Sequence, residues 1–241
     1  MTCVAAVADI HLGKDVCGRF RKSLEGITER AEVLLLGGDL TRHGTVEEGR
    51  AVADEFRDLG LPVVAVLGNH DYHSDAQDEI TAMLEDAGVI VLEGDNVVLD
   101  LNGVRLGIAG TKGFGGGFAG RSASEFGEPE MKRFYHLTKE LSTGLAMALK
   151  DLDTDLKIAL THYSPVKETL EGEPSEIYPF LGSYLLAEAI DQGDVDLAIH
   201  GHAHLGSERG VTPGGVSVRN VALPVLRQAY ALYRLTGAEA M

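Results

Sequence analysis

Cysteine is scarce in this sequence, tryptophan is absent, and long apolar runs are missing. The 241 residues include two cysteines, Cys3 and Cys17, too few in a chain of this size for a disulfide scaffold, so we expect both to be reduced. No segment reaches the ~18 consecutive apolar residues that a membrane-spanning helix needs. The sequence therefore favours neither a small disulfide-stabilised protein nor an integral membrane protein.

Basic residues are also few, because 21 lysines and arginines stand against 37 acidic residues. The resulting net charge of −16 gives no broad attraction to nucleic-acid backbones, so we expect no general nucleic-acid binding. The charge does not exclude a small anionic substrate, because bound divalent cations can make a site locally positive. The apolar residues 1–8 lack the basic segment that opens a secretory signal, and we expect a cytoplasmic protein without membrane association.

Apolar residues make up 44% of the chain and its mean hydropathy is +0.02, which fits one domain over residues 1–241 with a substantial core. The first half alternates strand and helix patterns, and this predicts a parallel sheet with crossover helices. Thr45 and Glu48 have the spacing of a capping box at the start of a helix. The strands are predicted at 3–9, 33–37 and 62–67, and the helices at 18–30, 45–58 and 75–87.

The second half begins with short strands, two of which are joined by the hairpin signal Asn102-Gly103. Six glycines lie within residues 111–127, where we expect a mobile loop that acts as a lid. A parallel first half and an antiparallel second half predict an α/β fold with two facing mixed sheets flanked by helices. The predicted elements are strands at 89–92, 96–101 and 104–109, a helix at 128–149, strand 156–160, a helix at 183–191, strand 195–200, and a final pair of strands at 216–221 and 228–235.

Side chains that bind metals follow five of the predicted buried strands. In extended chain, residues i and i+2 point the same way, so Asp9 with His11, and His202 with His204, can each present two donors to one cavity. Because the other donors also stand at strand ends, we expect all of them to meet at one site. The candidate ligands are Asp9, His11, Asp39, Asn69, His162, His202 and His204.

These donors comprise four imidazoles, two carboxylates and one amide oxygen. The mixture suits Mn²⁺, Fe²⁺, Zn²⁺ or Ni²⁺ better than Ca²⁺ or Mg²⁺. Seven ligands are too many for one tetrahedral ion and fit two divalent metal ions that share a bridging carboxylate, for which Asp39 is the candidate. A metal pair activates a hydroxide at neutral pH and clamps both oxygens of an in-line displacement, so the sequence predicts hydrolysis of a small phosphoester.

The five stretches resemble the sequence blocks of the calcineurin-like metallophosphoesterase superfamily, in the same order along residues 4–204. The matching blocks are Asp9-x-His11, Gly38-Asp39, Gly68-Asn69-His70-Asp71, His162 and Gly201-His202-x-His204. The resemblance implies a four-layer αββα sandwich. It also implies that Asp9, His11, Asp39 and His204 hold one metal, whereas Asp39, Asn69, His162 and His202 hold the other.

The same resemblance gives His70 a catalytic role without metal binding, either contact with the phosphoryl oxygens or protonation of the leaving group. Asp71 is then the nearest candidate to orient the His70 ring. Gly38-Asp39-Leu40-Thr41-x-x-Gly44 is also similar to the branch that includes class III cyclic-nucleotide phosphodiesterases, although Arg42 and His43 stand where that branch often carries acidic residues.

A further alternative is a non-catalytic interaction scaffold that binds metal, because some members of the superfamily have lost ligands or the acid histidine and serve in assemblies. Every ligand position and His70 are present in this sequence, which favours a hydrolase.

Overall fold

The computed structural model describes residues 2–16 and 18–236. Cys17, which we expect to be reduced, therefore lies outside the described residues, as do both ends of the expected domain over residues 1–241. Among the described residues, Cys3 is a free thiol.

The strands and helices alternate through most of the described chain. The strands are β1 (Thr2–Val7), β2 (Val33–Gly37), β3 (Val63–Val66), β4 (Val89–Val91), β5 (Asp95–Leu101), β6 (Val104–Thr111), β7 (Gly117–Phe118), β8 (Arg121–Ser122), β9 (Leu156–Thr161), β10 (Leu197–His200), β11 (Arg209–Val211), β12 (Ser217–Asn220) and β13 (Ala231–Leu235). The α-helices are α1 (Arg19–Ser23), α2 (Val46–Phe56), α3 (Gln77–Asp86), α4 (Pro129–Lys150), α5 (Tyr178–Leu181), α6 (Tyr184–Asp191) and α7 (Leu223–Leu226). Three short 3₁₀ helices occupy Ile27–Glu29, Lys167–Leu170 and Ser175–Ile177.

Two sheets face each other. The first has the order β13-β1-β2-β3-β4, with β1 to β4 parallel and β13 antiparallel to β1. The second has the order β11-β12-β10-β9-β6-β5, in which β12, β10, β9 and β6 are parallel and the two edge strands are antiparallel. Both sheets are therefore mixed, as the sequence predicts, and their central strands are parallel.

Three apolar clusters hold the layers together. Alternate residues of β1 and β2, such as Val4 and Leu35, point between the sheets and meet Ile158 and Ile199 of the second sheet. The opposite face of the first sheet packs against α2 and α3. The opposite face of the second sheet packs against α4 and α6. Because side chains alternate faces along a strand, each central strand is buried on both sides, and the fold is an αββα sandwich.

The predicted antiparallel second half is right for the hairpin β5–β6 and wrong for the pairing of β6, β9, β10 and β12, which are parallel. The hairpin β5–β6 suggests a meander, but α4 connects β6 to β9 and α6 connects β9 to β10, and such crossovers produce parallel pairing. The final two predicted strands also do not pair with each other, because β12 joins the second sheet and β13 joins the first. The strand beside which each of them pairs is decided by long-range contacts.

Two local predictions also differ from the structure. The helix predicted at 18–30 is limited to α1 and one 3₁₀ turn, because Gly18 and Gly26 adopt left-handed backbone angles that interrupt a helix. The glycine-rich segment is packed in its first part, since every residue of 111–117 except Phe114 is buried, so the expected mobile loop is wrong there. Its exposed part is the turn between β7 and β8 and the residues up to 127.

Membrane insertion of a helix finds no support in the structure. In the described ranges, no helix has both the length and the hydropathy needed to cross a lipid bilayer.

Candidate metal centre

The carboxyl ends of the parallel strands carry the candidate ligands. Asp9, Asp39 and Asn69 follow β1, β2 and β3 of the first sheet, while His162 and His202 follow β9 and β10 of the second. Because both sheets present these ends at one edge of the sandwich, side chains far apart in sequence meet there.

Two groups of donor atoms converge, and each spans no more than 4.8 Å. The first group consists of Asp9, His11, Asp39 and His204, and the second of Asp39, His162 and His202. His204 Nε2 lies 2.9 Å from Asp9 Oδ1, and His162 Nε2 lies 3.3 Å from Asp39 Oδ1. Asp39 is shared by both groups, as a bridging carboxylate between two ions must be.

Asn69 completes the second group. Its Oδ1 lies 3.0 Å from His162 Nε2, while His162 Nδ1 donates a hydrogen bond of 2.8 Å to the carbonyl oxygen of Gly37. In a neutral imidazole with the proton on Nδ1, Nε2 carries a lone pair. That lone pair then faces two oxygen acceptors, from Asn69 and Asp39, an arrangement that a cation stabilises.

The His202 ring is oriented in the same manner. Its Nε2 donates to the carbonyl oxygen of Phe180 at 3.2 Å, which leaves Nδ1 as the atom able to bind a metal. The backbone N–H of His202 donates to both carboxylate oxygens of Asp9, at 3.1 and 2.9 Å. These contacts orient the candidate ligands, so the residues present fit a metal site.

Four of the nine non-glycine residues with positive φ in the described chain are candidate ligands. Asp9, His11, Asp39 and His202 have φ angles of 57°, 43°, 51° and 69°, a left-handed conformation that non-glycine residues seldom adopt. Each such residue costs free energy that the surrounding structure must offset, and such outliers cluster at functional sites. At these positions the backbone leaves the extended conformation, so the side chains point into the cavity and no longer alternate between the two faces of a strand.

Glycines beside the ligands permit close backbone approach. A Cβ on Gly68 would collide with the Asp39 carboxylate, and a Cβ on Gly201 would collide with the Asp9 carboxylate. These glycines of the sequence blocks are therefore required by packing against the two acids.

Burial and neighbouring charges shift the pKa values of the donors. Burial raises the pKa of Asp39, whereas the hydrogen bond from His204 and the charge of His162 hold the pKa of Asp9 below its usual value against the opposing effect of burial. Burial lowers the pKa of His202 to about 3, so this imidazole is neutral at neutral pH, which is the form that binds metals. The hydrogen bond to Asp9 raises the pKa of His204.

His70 stands at the margin of the cluster. Its Nε2 lies 3.9 Å from Asp39 Oδ2, and its ring centroid is 4.5 Å from that of His11. Its backbone N–H donates to Asp39 Oδ1 at 2.8 Å, and Nδ1 donates to the carbonyl oxygen of Arg42 at 2.7 Å. Nε2 is thus the free ring nitrogen on the side of the cavity.

The prediction that Asp71 orients His70 is wrong. Asp71 is fully buried, and its carboxylate accepts hydrogen bonds from the backbone N–H groups of Leu40, Thr41 and Gly68 and from the Thr41 hydroxyl, at 2.6 to 3.2 Å. Asp71 therefore joins the loop after β2 to the loop after β3. The His70 ring is oriented instead by the carbonyl oxygen of Arg42.

We expect Asp71→Asn to destabilise the fold by about 2–4 kcal/mol, because an amide nitrogen in place of one oxygen leaves buried N–H donors without an acceptor. Urea unfolding followed by circular dichroism measures the change. Asp100→Asn is the matched control, since exposed Asp100 accepts one hydrogen bond from Gly103 in a turn. Equal stability of both variants would mean that the hydrogen bonds of the Asp71 carboxylate do not stabilise the fold.

One buried charged residue beside this site, Lys112, could not be predicted from the sequence. Lys112 is 8% exposed, and its ammonium lies over the rings of Tyr72, Phe114 and Tyr163, which come from three separate stretches. A single lysine in a glycine-rich segment gives no indication of burial. Arg121, which belongs to the segment expected to act as a lid, lies exposed on β8.

Comparisons with known proteins agree with the fold. The sequence profile of the calcineurin-like phosphoesterase family matches residues 4–206. No curated protein matches the sequence at a significant level.

Three solved structures share the fold at low sequence identity. The phosphopantetheinyl hydrolase PptH of Mycobacterium tuberculosis is 14% identical with a TM-score of 0.67, over 99% of this chain and 98% of that chain. A putative 5'-nucleotidase of Staphylococcus aureus is 15% identical with a TM-score of 0.58, over 90% of this chain and 48% of the other. GAP50, described as the anchor in the inner membrane complex of Plasmodium, is 13% identical with a TM-score of 0.54, over 92% of this chain and 72% of that chain. With the profile covering most of its length, the chain belongs to the calcineurin-like phosphoesterase family and is a phosphoric ester hydrolase with groups able to bind metal.

Proposed function

We propose that this protein hydrolyses small phosphoesters with two divalent metal ions. The observation that carries the proposal is the position of Asp39, whose carboxylate belongs to both groups of converging donor atoms. Asp9, His11, Asp39 and His204 would hold one ion. Asp39, Asn69, His162 and His202 would hold the other.

The donors also favour particular metals. Imidazole nitrogens predominate over carboxylate oxygens, a balance that suits Mn²⁺, Fe²⁺, Zn²⁺ or Ni²⁺. When bound, such a pair supplies a nucleophile at neutral pH and positive charge for the phosphoryl group. The fixed tautomers of His162 and His202 support this role, because their metal-facing nitrogens need no reorientation.

The remaining chemistry falls to His70. Because Nδ1 is engaged by the Arg42 carbonyl, Nε2 is the atom that would contact the phosphoryl oxygens or hold the proton for the leaving group. Its side chain is 42% exposed, so it can meet a substrate that enters from solvent.

The class of substrate draws support from the names of the structural neighbours. One is called a phosphopantetheinyl hydrolase and another a putative 5'-nucleotidase, and both names refer to substrates that carry phosphate. A cyclic-nucleotide phosphodiesterase activity is the alternative within the same chemistry. GAP50 favours a second candidate function, that of a non-catalytic scaffold, because its name describes an anchor.

Metal-dependent turnover tests the proposal. The chain is stripped with a chelator, reloaded with each of Mn²⁺, Fe²⁺, Zn²⁺ and Ni²⁺, and assayed with p-nitrophenyl phosphate, bis-p-nitrophenyl phosphate, nucleotides, cyclic nucleotides and sugar phosphates. We expect two equivalents of metal by elemental analysis and turnover in the reloaded protein alone. Two bound equivalents without turnover of any ester would favour the scaffold.

A further inference from the structure

A buried lysine adjoins the His162 side of the candidate metal centre. The carbonyl oxygen of Lys112 accepts hydrogen bonds from the backbone N–H groups of His162 and Tyr163, at 3.1 and 3.0 Å. Its own backbone N–H donates to the Glu93 carboxylate at 3.1 Å. The end of β6 is thereby attached to the residues that follow β9, and the position of Lys112 is fixed relative to a candidate ligand.

The ammonium of Lys112 is enclosed by aromatic rings. Nζ lies 4.9 Å from the ring centroid of Tyr72, 5.0 Å from that of Phe114 and 5.5 Å from that of Tyr163. The Tyr163 ring is in turn 4.3 Å from the ring of His202. The cage of Tyr72, Phe114 and Tyr163 therefore places the ammonium on the His202 side of the candidate metal centre, with the Tyr163 ring between them.

The hydrogen bonding of this ammonium is incomplete. An ammonium has three donors, and in the described part of the chain Nζ makes one contact, of 3.4 Å, with the carbonyl oxygen of Gly113 and forms no ion pair. Aromatic faces attract a cation but do not replace strong acceptors. A buried charge without a partner costs free energy, so its position calls for a functional explanation.

No nearby acid in the described chain forms an ion pair with the Lys112 ammonium. The Glu93 carboxylate is engaged by the Thr111 hydroxyl at 2.6 Å, by the Lys112 backbone N–H and by the Tyr72 hydroxyl at 3.3 Å, and Glu93 itself is exposed to solvent. Burial lowers the pKa of Lys112, while the charges of Glu93 and Asp39 act in the opposite direction. The negative charge of Asp39 thus favours the charged form of Lys112.

We propose that Lys112 binds a phosphoryl oxygen of the substrate and makes the site selective for phosphomonoesters over phosphodiesters. This inference rests on the proposed function. Two divalent cations exceed the charge of Asp9 and Asp39, and the ammonium adds a further positive charge on the side of His202. A phosphomonoester dianion gains more from this charge than a diester monoanion, and free phosphate shares the recognised chemistry.

Calorimetric titration of inorganic phosphate into Mn²⁺-loaded protein tests the proposal without turnover. Lys112→Met keeps the length and apolar stem of the side chain and removes its charge. We expect it to bind phosphate at least about tenfold more weakly than the unmodified protein, as loss of a charge-assisted hydrogen bond implies, with the metal content unchanged. We also expect the ratio of kcat/KM for p-nitrophenyl phosphate to that for bis-p-nitrophenyl phosphate to fall by a similar factor.

Lys157→Met is the matched control. Its Nζ donates to the carbonyl oxygen of Gly193 at 3.2 Å, at the end of β9 opposite the metal centre. Both quantities should stay unchanged in this variant. Equal phosphate affinity in Lys112→Met that retains two metal equivalents overturns the role of Lys112 and leaves the proposed function standing. Metal-loaded unmodified protein that neither binds phosphate nor hydrolyses any ester overturns both.

A second measurement needs no variant. In Zn²⁺-loaded protein labelled with ¹³C at the lysine ε-carbon, the three rings should displace the Lys112 signal from those of the other lysines. We expect added phosphate to shift this signal and to leave the others in place. A ring-shifted signal that stays unchanged at saturating phosphate overturns the proposal, whatever the folding of Lys112→Met.

Discussion

Replacing Asp39 by asparagine is expected to abolish turnover and to lower the metal content towards zero. The asparagine side chain keeps the shape and one oxygen that can accept the hydrogen bond from the His70 N–H, but it removes the charge shared by both donor groups. Changes that merely touch a ligand's hydrogen-bond partner cost about 10–100-fold in metal affinity, and loss of a bridging carboxylate should cost more. Elemental analysis after desalting, together with kcat for p-nitrophenyl phosphate, measures both effects.

Asp196→Asn is the control for this change. Asp196 accepts the backbone N–H of Lys157 at 2.8 Å, at the end of the second sheet opposite the metal centre, so neither metal content nor turnover should respond. Two metal equivalents retained in Asp39→Asn would contradict the bridging role. Loss of one equivalent with the other retained would place Asp39 on a single ion.

Much of the fold follows from local sequence. β2 occupies residues 33–37 as predicted, because its apolar run is stopped by glycine. The capping box of Thr45 and Glu48 is confirmed at the start of α2, and the turn at Asn102 and Gly103 has the positive φ angles that such a hairpin needs. These features depend on residues that are neighbours in the chain.

The placement of the last two predicted strands in the sheets does not follow from local sequence. β12 and β13 have similar strand patterns, yet one lies beside β10 and the other beside β1. The choice depends on the positions of the other strands, which the pattern within each strand does not contain.

In the site, too, some features follow from local sequence and others depend on the three-dimensional surroundings. Convergence of the seven candidate ligands was predictable because each follows a strand, and strand ends of a parallel sheet meet at one edge. The partner of the His70 ring was not predictable from its neighbour Asp71, because the direction of a side chain in a loop depends on the donors around it. Three backbone N–H groups and one hydroxyl draw the Asp71 carboxylate inward, and Arg42 contributes a carbonyl oxygen instead of its side chain.

The strain at the ligands and the glycines beside them have one explanation. The backbone of Gly201 contacts the Asp9 carboxylate so closely that the following N–H, of His202, can donate to it. His202 has a left-handed backbone at this point, and its ring lies at a centroid distance of 4.8 Å from that of His162. Backbone contacts of the protein itself therefore orient these side chains, and such orientation lowers the free-energy cost of metal binding.

His70→Ala is expected to lower kcat by about 10²–10⁴-fold while both metal ions stay bound, because general acid catalysis contributes a factor of this size. The loss should depend on the leaving group. p-Nitrophenolate departs without a proton, so the variant should lose little with p-nitrophenyl phosphate, whereas an alkyl phosphate needs protonation by Nε2 and should show the full effect.

Comparison of kcat for phenyl, p-nitrophenyl and alkyl phosphates in the two proteins separates the two roles open to His70. A loss that grows with the pKa of the leaving group assigns His70 as the acid. An equal loss for all three esters means that Nε2 contacts the phosphoryl oxygens instead. Loss of metal from His70→Ala would contradict both roles and make His70 a ligand. His73→Ala is the control for disturbance of the loop, because it alters a neighbouring exposed imidazole on the outer side of the same loop.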